Sequence, residues 1–83
     1  MADIKYEIKQ NVGTLSVNEK SKWTKELNLI SWADKEPKFD LRDWGPDHEK
    51  MGKGVTLTNE ELKSLYDILS EMFKEDELIL EKN

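Results

Sequence analysis

At 83 residues and 9.7 kDa the chain holds one domain at most, and its 36% hydrophobic against 37% charged residues leave little apolar mass for a core. A domain this small buries only about 60% of its unfolded surface, and with no cysteine to form a disulfide, self-association is the remedy left. The missing cysteines fit a reducing compartment. The sequence has no apolar run of about eighteen residues and no basic-then-apolar leader, which argues against a membrane span or a secretory signal and for a cytoplasmic protein.

The elements come in a plain order. Ile4–Lys9 alternates apolar and polar residues as a strand does, and Val12–Val17 resumes the alternation after a bend or bulge at Gln10, Asn11 and Gly13. Residues 22–33, "KWTKELNLISWA", predict a strand apolar on both faces, with Leu27 and Leu29 on one side and Ile30 and Trp32 on the other. "KFDLRDW" sets Phe39 and Leu41 against Asp40, Arg42 and Trp44. "KGVTL", residues 53–57, is a short last strand. The period then changes to three and four through Leu62, Leu65, Tyr66, Leu69, Met72 and Phe73, the stripe of an amphipathic helix over about 59–75. Thr58-Asn59-Glu60-Glu61 forms a capping box at its start. Leu78-Ile79-Leu80 either continues the stripe or makes a tail contact. The sum is α+β, a four-stranded antiparallel sheet over about 4–57 followed by one helix, in a single domain 1–83.

A net charge of −5 weighs against nucleic acid until its distribution is read. Residues 58–83 hold eight acids against three lysines, whereas residues 20–57 hold eight basic residues against seven acids. The middle of the chain is therefore locally basic. One helix covers one face of the sheet, which leaves Trp32, Arg42 and Trp44 on the other. An arbitrary Trp is more often a core or dimer residue. Yet cations alternating with aromatics are what single-stranded nucleic acid requires, since unpaired bases stack for about 1–3 kcal/mol each and phosphates meet Lys and Arg. Arg42 in "DLRD" serves equally to neutralise Asp40 or Asp43. Lys53, between Gly52 and Gly54, is either a solvated strand entry or a phosphate contact; "MGKG" is not a nucleotide-binding loop.

Enzymatic chemistry finds no support. His48 with Asp47 and Glu49 lacks further metal ligands, so these read as solvated loop residues, and no nucleophile and base are paired. No metal, cofactor or small-molecule substrate is expected.

"KELNLISWADKEPKFDLRDWGPDHEKMGKGVTL" followed by the helix resembles the positive cofactor four family of transcriptional coactivators, and most of all its bacterial YdbC-type members. The resemblance covers about residues 20–74. It implies a strongly curved sheet, a homodimer formed through the helices, and sequence-tolerant binding of single-stranded DNA. Matched position by position, it implies nucleic-acid contacts at Lys25, Trp32, Arg42, Trp44 and Lys53, with Lys35 and Lys38 in the basic loop between strands two and three; Lys22 joins Lys35 and Lys38 as a further expected phosphate partner. Leu62, Leu65, Leu69, Met72 and Phe73 close the core and the dimer. The expectation is a non-enzymatic, cytoplasmic or nucleoid-associated protein that binds single-stranded DNA, with RNA left open. The process is transcription, replication or repair. The rival is a dimeric protein-interaction adaptor that uses the same sheet face.

Overall fold

The computed structural model describes residues 5–81, and side chains through Lys74. Four strands, β1 (Tyr6–Val17), β2 (Thr24–Trp32), β3 (Lys38–Trp44) and β4 (Met51–Leu57), form an antiparallel meander in chain order, followed by the helix α1 (Asn59–Glu81). The α+β order expected from the patterning is the order observed. Ile4 lies outside the described residues.

Each turn is made by local chemistry. The Asn18 side-chain oxygen accepts the amides of Lys20 and Ser21, both at 2.9 Å, and so closes the β1–β2 turn. The β2–β3 turn places Ala33 and Asp34 at φ 51° and 62° and is closed by the Lys35 amide on the Trp32 carbonyl at 2.8 Å. In the third turn the Gly45 amide donates to Lys50 O, and His48 sits at φ 62°.

β1 slips against β2 three times, between Ile8 and Gln10, Asn11 and Gly13, and Thr14 and Ser16. The expected bend at residues 10–13 is thus part of a series of bulges, each of which coils a strand. The consequence is visible in the rings. Tyr6 stands opposite Trp32 in register, while Trp44 stands opposite Thr24 at the far end of β2. A flat strand would separate those two positions by roughly 26 Å. Both indoles nevertheless lie beside Tyr6, with ring centroids at 5.5 and 5.8 Å. The sheet has curled around this face.

That curl corrects one expectation. The sheet face away from the helix is not left open: it holds the enclosed residues of the chain. Ile30 and Trp44 are the fully buried apolar side chains among the described residues, and Asn28 and Asp40 are equally inaccessible. The other face carries Leu27, Leu41 and Val55, and α1 lies against β3 and β4 there.

Helix α1 starts as the capping box dictates, with the Thr58 amide on Glu61 Oε1 at 2.8 Å and the Glu61 amide on Thr58 Oγ1 at 3.1 Å. It runs past residue 75 to Glu81, because no Gly or Pro interrupts residues 59–81. The side chains of Leu78, Ile79 and Leu80 lie outside those described. Leu62 and Leu65 are half-buried against the sheet, but Tyr66, Ile68, Leu69, Met72 and Phe73 stand exposed. One copy of the chain does not cover its own stripe. No helix is long and apolar enough to cross a membrane among the described residues.

Candidate nucleic-acid interface

The curled face is built from the even-numbered residues of β2 and β3, which the β2–β3 register pairs as Thr24 with Trp44, Glu26 with Arg42, and Asn28 with Asp40. Two carboxylates lie at its centre. Asp40 receives the Arg42 guanidinium in a fork, Nε at 2.7 Å and Nη2 at 2.8 Å, with the Thr56 hydroxyl at 3.3 Å. Arg42 Nη1 turns to the Gly52 carbonyl at 3.2 Å and to Met51 Sδ. Gly54 makes that path possible: a Cβ there would strike the Arg42 Cβ and the Leu41 carbonyl and lie 2.9 Å from Arg42 Nε. Of the two glycines flanking Lys53, Gly54 is therefore needed for space, whereas a Cβ at Gly52 would make only ordinary contacts, and neither has positive φ.

Glu26 is the second acid. It accepts the Thr24 hydroxyl at 2.6 Å, Asn28 Nδ2 at 3.2 Å, Asn11 Nδ2 at 3.3 Å and His48 Nε2–H at 2.9 Å. Burial pushes its carboxyl up, but the hydrogen bonds from Thr24, Asn28 and His48, with the charge of a protonated His48, outweigh this and hold it below the ordinary carboxylate range. His48 remains a loop residue with 42% of its side chain exposed, but it has specific partners. Its left-handed backbone turns the ring onto Trp44, centroids 5.4 Å apart, and onto Glu26.

The residues singled out in sequence fall into separate places. Trp32 is half-buried, flanked by Tyr6 and by the Arg42 Cζ 4.9 Å from its ring centre, a cation–π arrangement. Trp44 is fully enclosed beneath Tyr6 and His48, so a base does not reach it in this conformation. Arg42 keeps only 14% of its side chain exposed, its donors turned inward. Lys35 and Lys38 are exposed just beyond Trp32, and Lys53 is exposed in β4. Lys25 shares the helix-side face with Leu27 and pairs with Asp43 at 3.0 Å, and Lys22 lies in the β1–β2 turn near Glu19. Those two do not join the Trp32 group.

The ion pairs also sort the charge. Asp34, Asp40 and Asp43 are paired with Lys5, Arg42 and Lys25, and Glu26 is hydrogen-bonded to His48. Lys20, Lys35, Lys38, Lys50 and Lys53 make no ion pair among the described residues. Pairing leaves the cations of the middle segment more available than its net charge suggests. Among the described residues no group of three or more His, Cys, Asp or Glu side chains is placed to hold a metal ion.

Sequence reading missed His48, Tyr6 and the Asn11–Glu26–Asn28 network. For Glu26 and Asn28 the signal was present: they share a phase with Ile30 and Trp32, so a buried face had to accommodate them.

The described residues thus form an antiparallel four-stranded meander with a capped C-terminal helix and an aromatic-cationic cluster on the curled face. Residues 19–68 match the family described as Transcriptional Coactivator p15 (PC4), and the chain belongs to that family. It is also 49% identical over 70 residues, 84% of this chain and 81% of the other, to a protein of Treponema pallidum (strain Nichols) described as uncharacterized. The family is nucleic-acid-binding and non-enzymatic, and is associated with transcription.

Proposed function

We propose that the protein is a homodimeric, non-enzymatic protein that binds single-stranded DNA with little regard to sequence, in transcription, replication or repair. Family membership supports the class. The observation that carries the reading is Trp32, a half-exposed indole with Arg42 over its ring and Tyr6 tilted against it, with Lys35 and Lys38, which make no ion pair among the described residues, one turn away. In this reading a base stacks on Trp32, while Lys35, Lys38 and Lys53 meet phosphates. Arg42 and Trp44 serve from beneath, Arg42 by fixing the Trp32 ring, Trp44 by supporting Tyr6. A cytoplasmic, nucleoid-associated place of action follows from the same reading.

Homodimerisation has its own ground. Tyr66, Leu69, Met72 and Phe73 are exposed by 38–66%, and contiguous apolar exposure on a small chain marks an association surface. A second copy of the helix supplies a matching apolar stripe.

The test is a titration of oligo-dT and of matched duplex, followed by tryptophan fluorescence. Single strands quench and duplex does not, because pairing hides the base faces. Trp32→Ala weakens oligo-dT binding by about 1–3 kcal/mol with unchanged circular dichroism. The logarithm of affinity falls with the logarithm of salt by about 0.7 per phosphate contact, and Lys35→Ala, Lys38→Ala and Lys53→Ala each lower that slope. A flat salt response, or equal response to duplex, defeats the proposal. A parallel series with oligo-U decides between DNA and RNA.

A further inference from the structure

The third tryptophan stands apart from the Trp32 cluster. Trp23 closes the β1–β2 turn, its carbonyl accepting the Asn18 amide at 2.8 Å and its amide donating to Ser21 Oγ at 3.2 Å. Its indole lies over bare backbone: Cβ atoms added at Gly45 and Gly52 would sit 3.7 and 3.8 Å from its ring. Those two glycines act as a floor, and the half-buried ring keeps its remaining surface toward recesses. One of about 580 Å³ is lined by Ser16, Ser21, Trp23, Lys25 and Asp43. A smaller one of about 230 Å³ runs past Pro46 and Lys50.

The charge around Trp23 comes from the β1–β2 turn, from Lys25 and Asp43, and from the turn after Gly45. Lys20 and Lys22 occupy the turn before it, Lys25 follows two residues later and Lys50 lines the smaller recess; the nearby acids are Glu19, 3.8 Å from Lys22 Nζ, Asp43, 3.0 Å from Lys25 Nζ, and Asp47 and Glu49 in the smaller recess. Lys22 and Lys25, two of the residues expected to contact nucleic acid, are therefore gathered here and not beside Trp32. A flat indole on a rigid floor, with a polar recess and turn lysines at its rim, has the parts that a base and its flanking phosphates use.

We infer that Trp23 is a second stacking platform for the same single strand. The strand engages Trp32, Lys35 and Lys38 at the β2–β3 end of the sheet and Trp23, Lys20, Lys22 and Lys25 at the β1–β2 end. The Lys25–Asp43 pair presents a donor and an acceptor side by side, which suits the polar edge of a base. The inference rests on the single-strand reading above.

The experiment follows the three indole N–H resonances of the full-length ¹⁵N-labelled protein during titration with oligo-dT of about twenty nucleotides, long enough to span several stacked bases. The Trp23 resonance is identified by its loss in Trp23→Phe. Two platforms predict that the Trp23 and Trp32 signals both move to saturation. They also predict that Trp23→Ala lowers affinity about tenfold or more, and that Trp23→Phe retains most of it. A Trp32 signal that moves while that of Trp23 stays still overturns this inference alone, and the wild-type spectrum decides it even if Trp23→Ala does not fold. Failure of wild-type protein to bind the oligomer at all removes the single-strand reading, and the second platform with it.

Discussion

Inside the curl of the sheet, Glu26, Asn28 and Asp40 are polar, enclosed and supplied with partners by their own chain. On the outside, Leu15 and Val55 of the strands and Tyr66, Ile68 and Phe73 of the helix are apolar and at least half exposed. A groove of about 380 Å³ between sheet and helix is lined by Leu15, Leu27, Leu41, Leu62 and Leu65 among others. Buried polar groups share the inner side with Ile30 and Trp44, while much apolar surface stays outside. Polar groups tolerate burial when every donor and acceptor is satisfied, and here one chain satisfies most of them. Apolar surface has no such internal remedy. It stays exposed until another surface covers it, and this is the physical ground for the proposed dimer.

The largest effect should come from the outer surface. Replacing Leu69 and Phe73 together by Asp removes two large side chains from the stripe, each worth about 1.5–3 kcal/mol when buried. The variant is expected to sediment as a monomer, and to lose much of its helical signal at a temperature where the parent is folded. A double variant with parental mass and melting temperature would show that this surface needs no cover.

Next comes the inner network. Glu26→Leu leaves Asn11, Asn28, Thr24 and His48 without their shared acceptor and is expected to cost about 2–3 kcal/mol in urea unfolding. The same carboxyl sets a pH dependence. Its folded pKa lies below the ordinary value of 4.5. Its contribution is therefore complete above that value and disappears as pH falls through the lower, folded one. Unfolding free energy measured from pH 6 downward should decline in that window, and decline less in Glu26→Gln.

Gly54→Ala is a smaller test of the same side. The new methyl meets Arg42 and the Leu41 carbonyl, so the guanidinium has to leave Asp40 or the strands have to part, at about 1–3 kcal/mol. An unchanged unfolding midpoint would mean that Arg42 does not hold the path described. The smallest effect lies at the rim, where Ala33 occupies φ 51° without the freedom of glycine. Ala33→Gly relieves that strain and is expected to raise stability by about 0.5–1 kcal/mol, with oligo-dT binding retained.

Particular residues show where sequence reading succeeded and where it stopped. The Thr58–Glu61 capping box was readable because both partners lie within one turn, and it forms the two expected hydrogen bonds. The alternation of β2 and β3 separated Leu27 and Leu41 from Asp40 and Arg42 correctly, since a strand alternates whatever surrounds it. Alternation places Lys25 with Leu27, on the face opposite Arg42, and there it pairs with Asp43. His48 was unreadable: its partner Glu26 lies 22 positions away, and no local rule connects a turn residue to the middle of another strand.

By itself, then, the sequence determined the element order, the helix start and the two-sidedness of the strands, because each is settled by neighbours a few residues apart. Only the tertiary structure decided which side is interior. The bulges of β1 coil the sheet around the polar face, bring Trp44 beneath Tyr6 and His48, and leave the leucine face outermost. Coiling sums many small register shifts into one closure, and that sum becomes a contact only when distant strands meet.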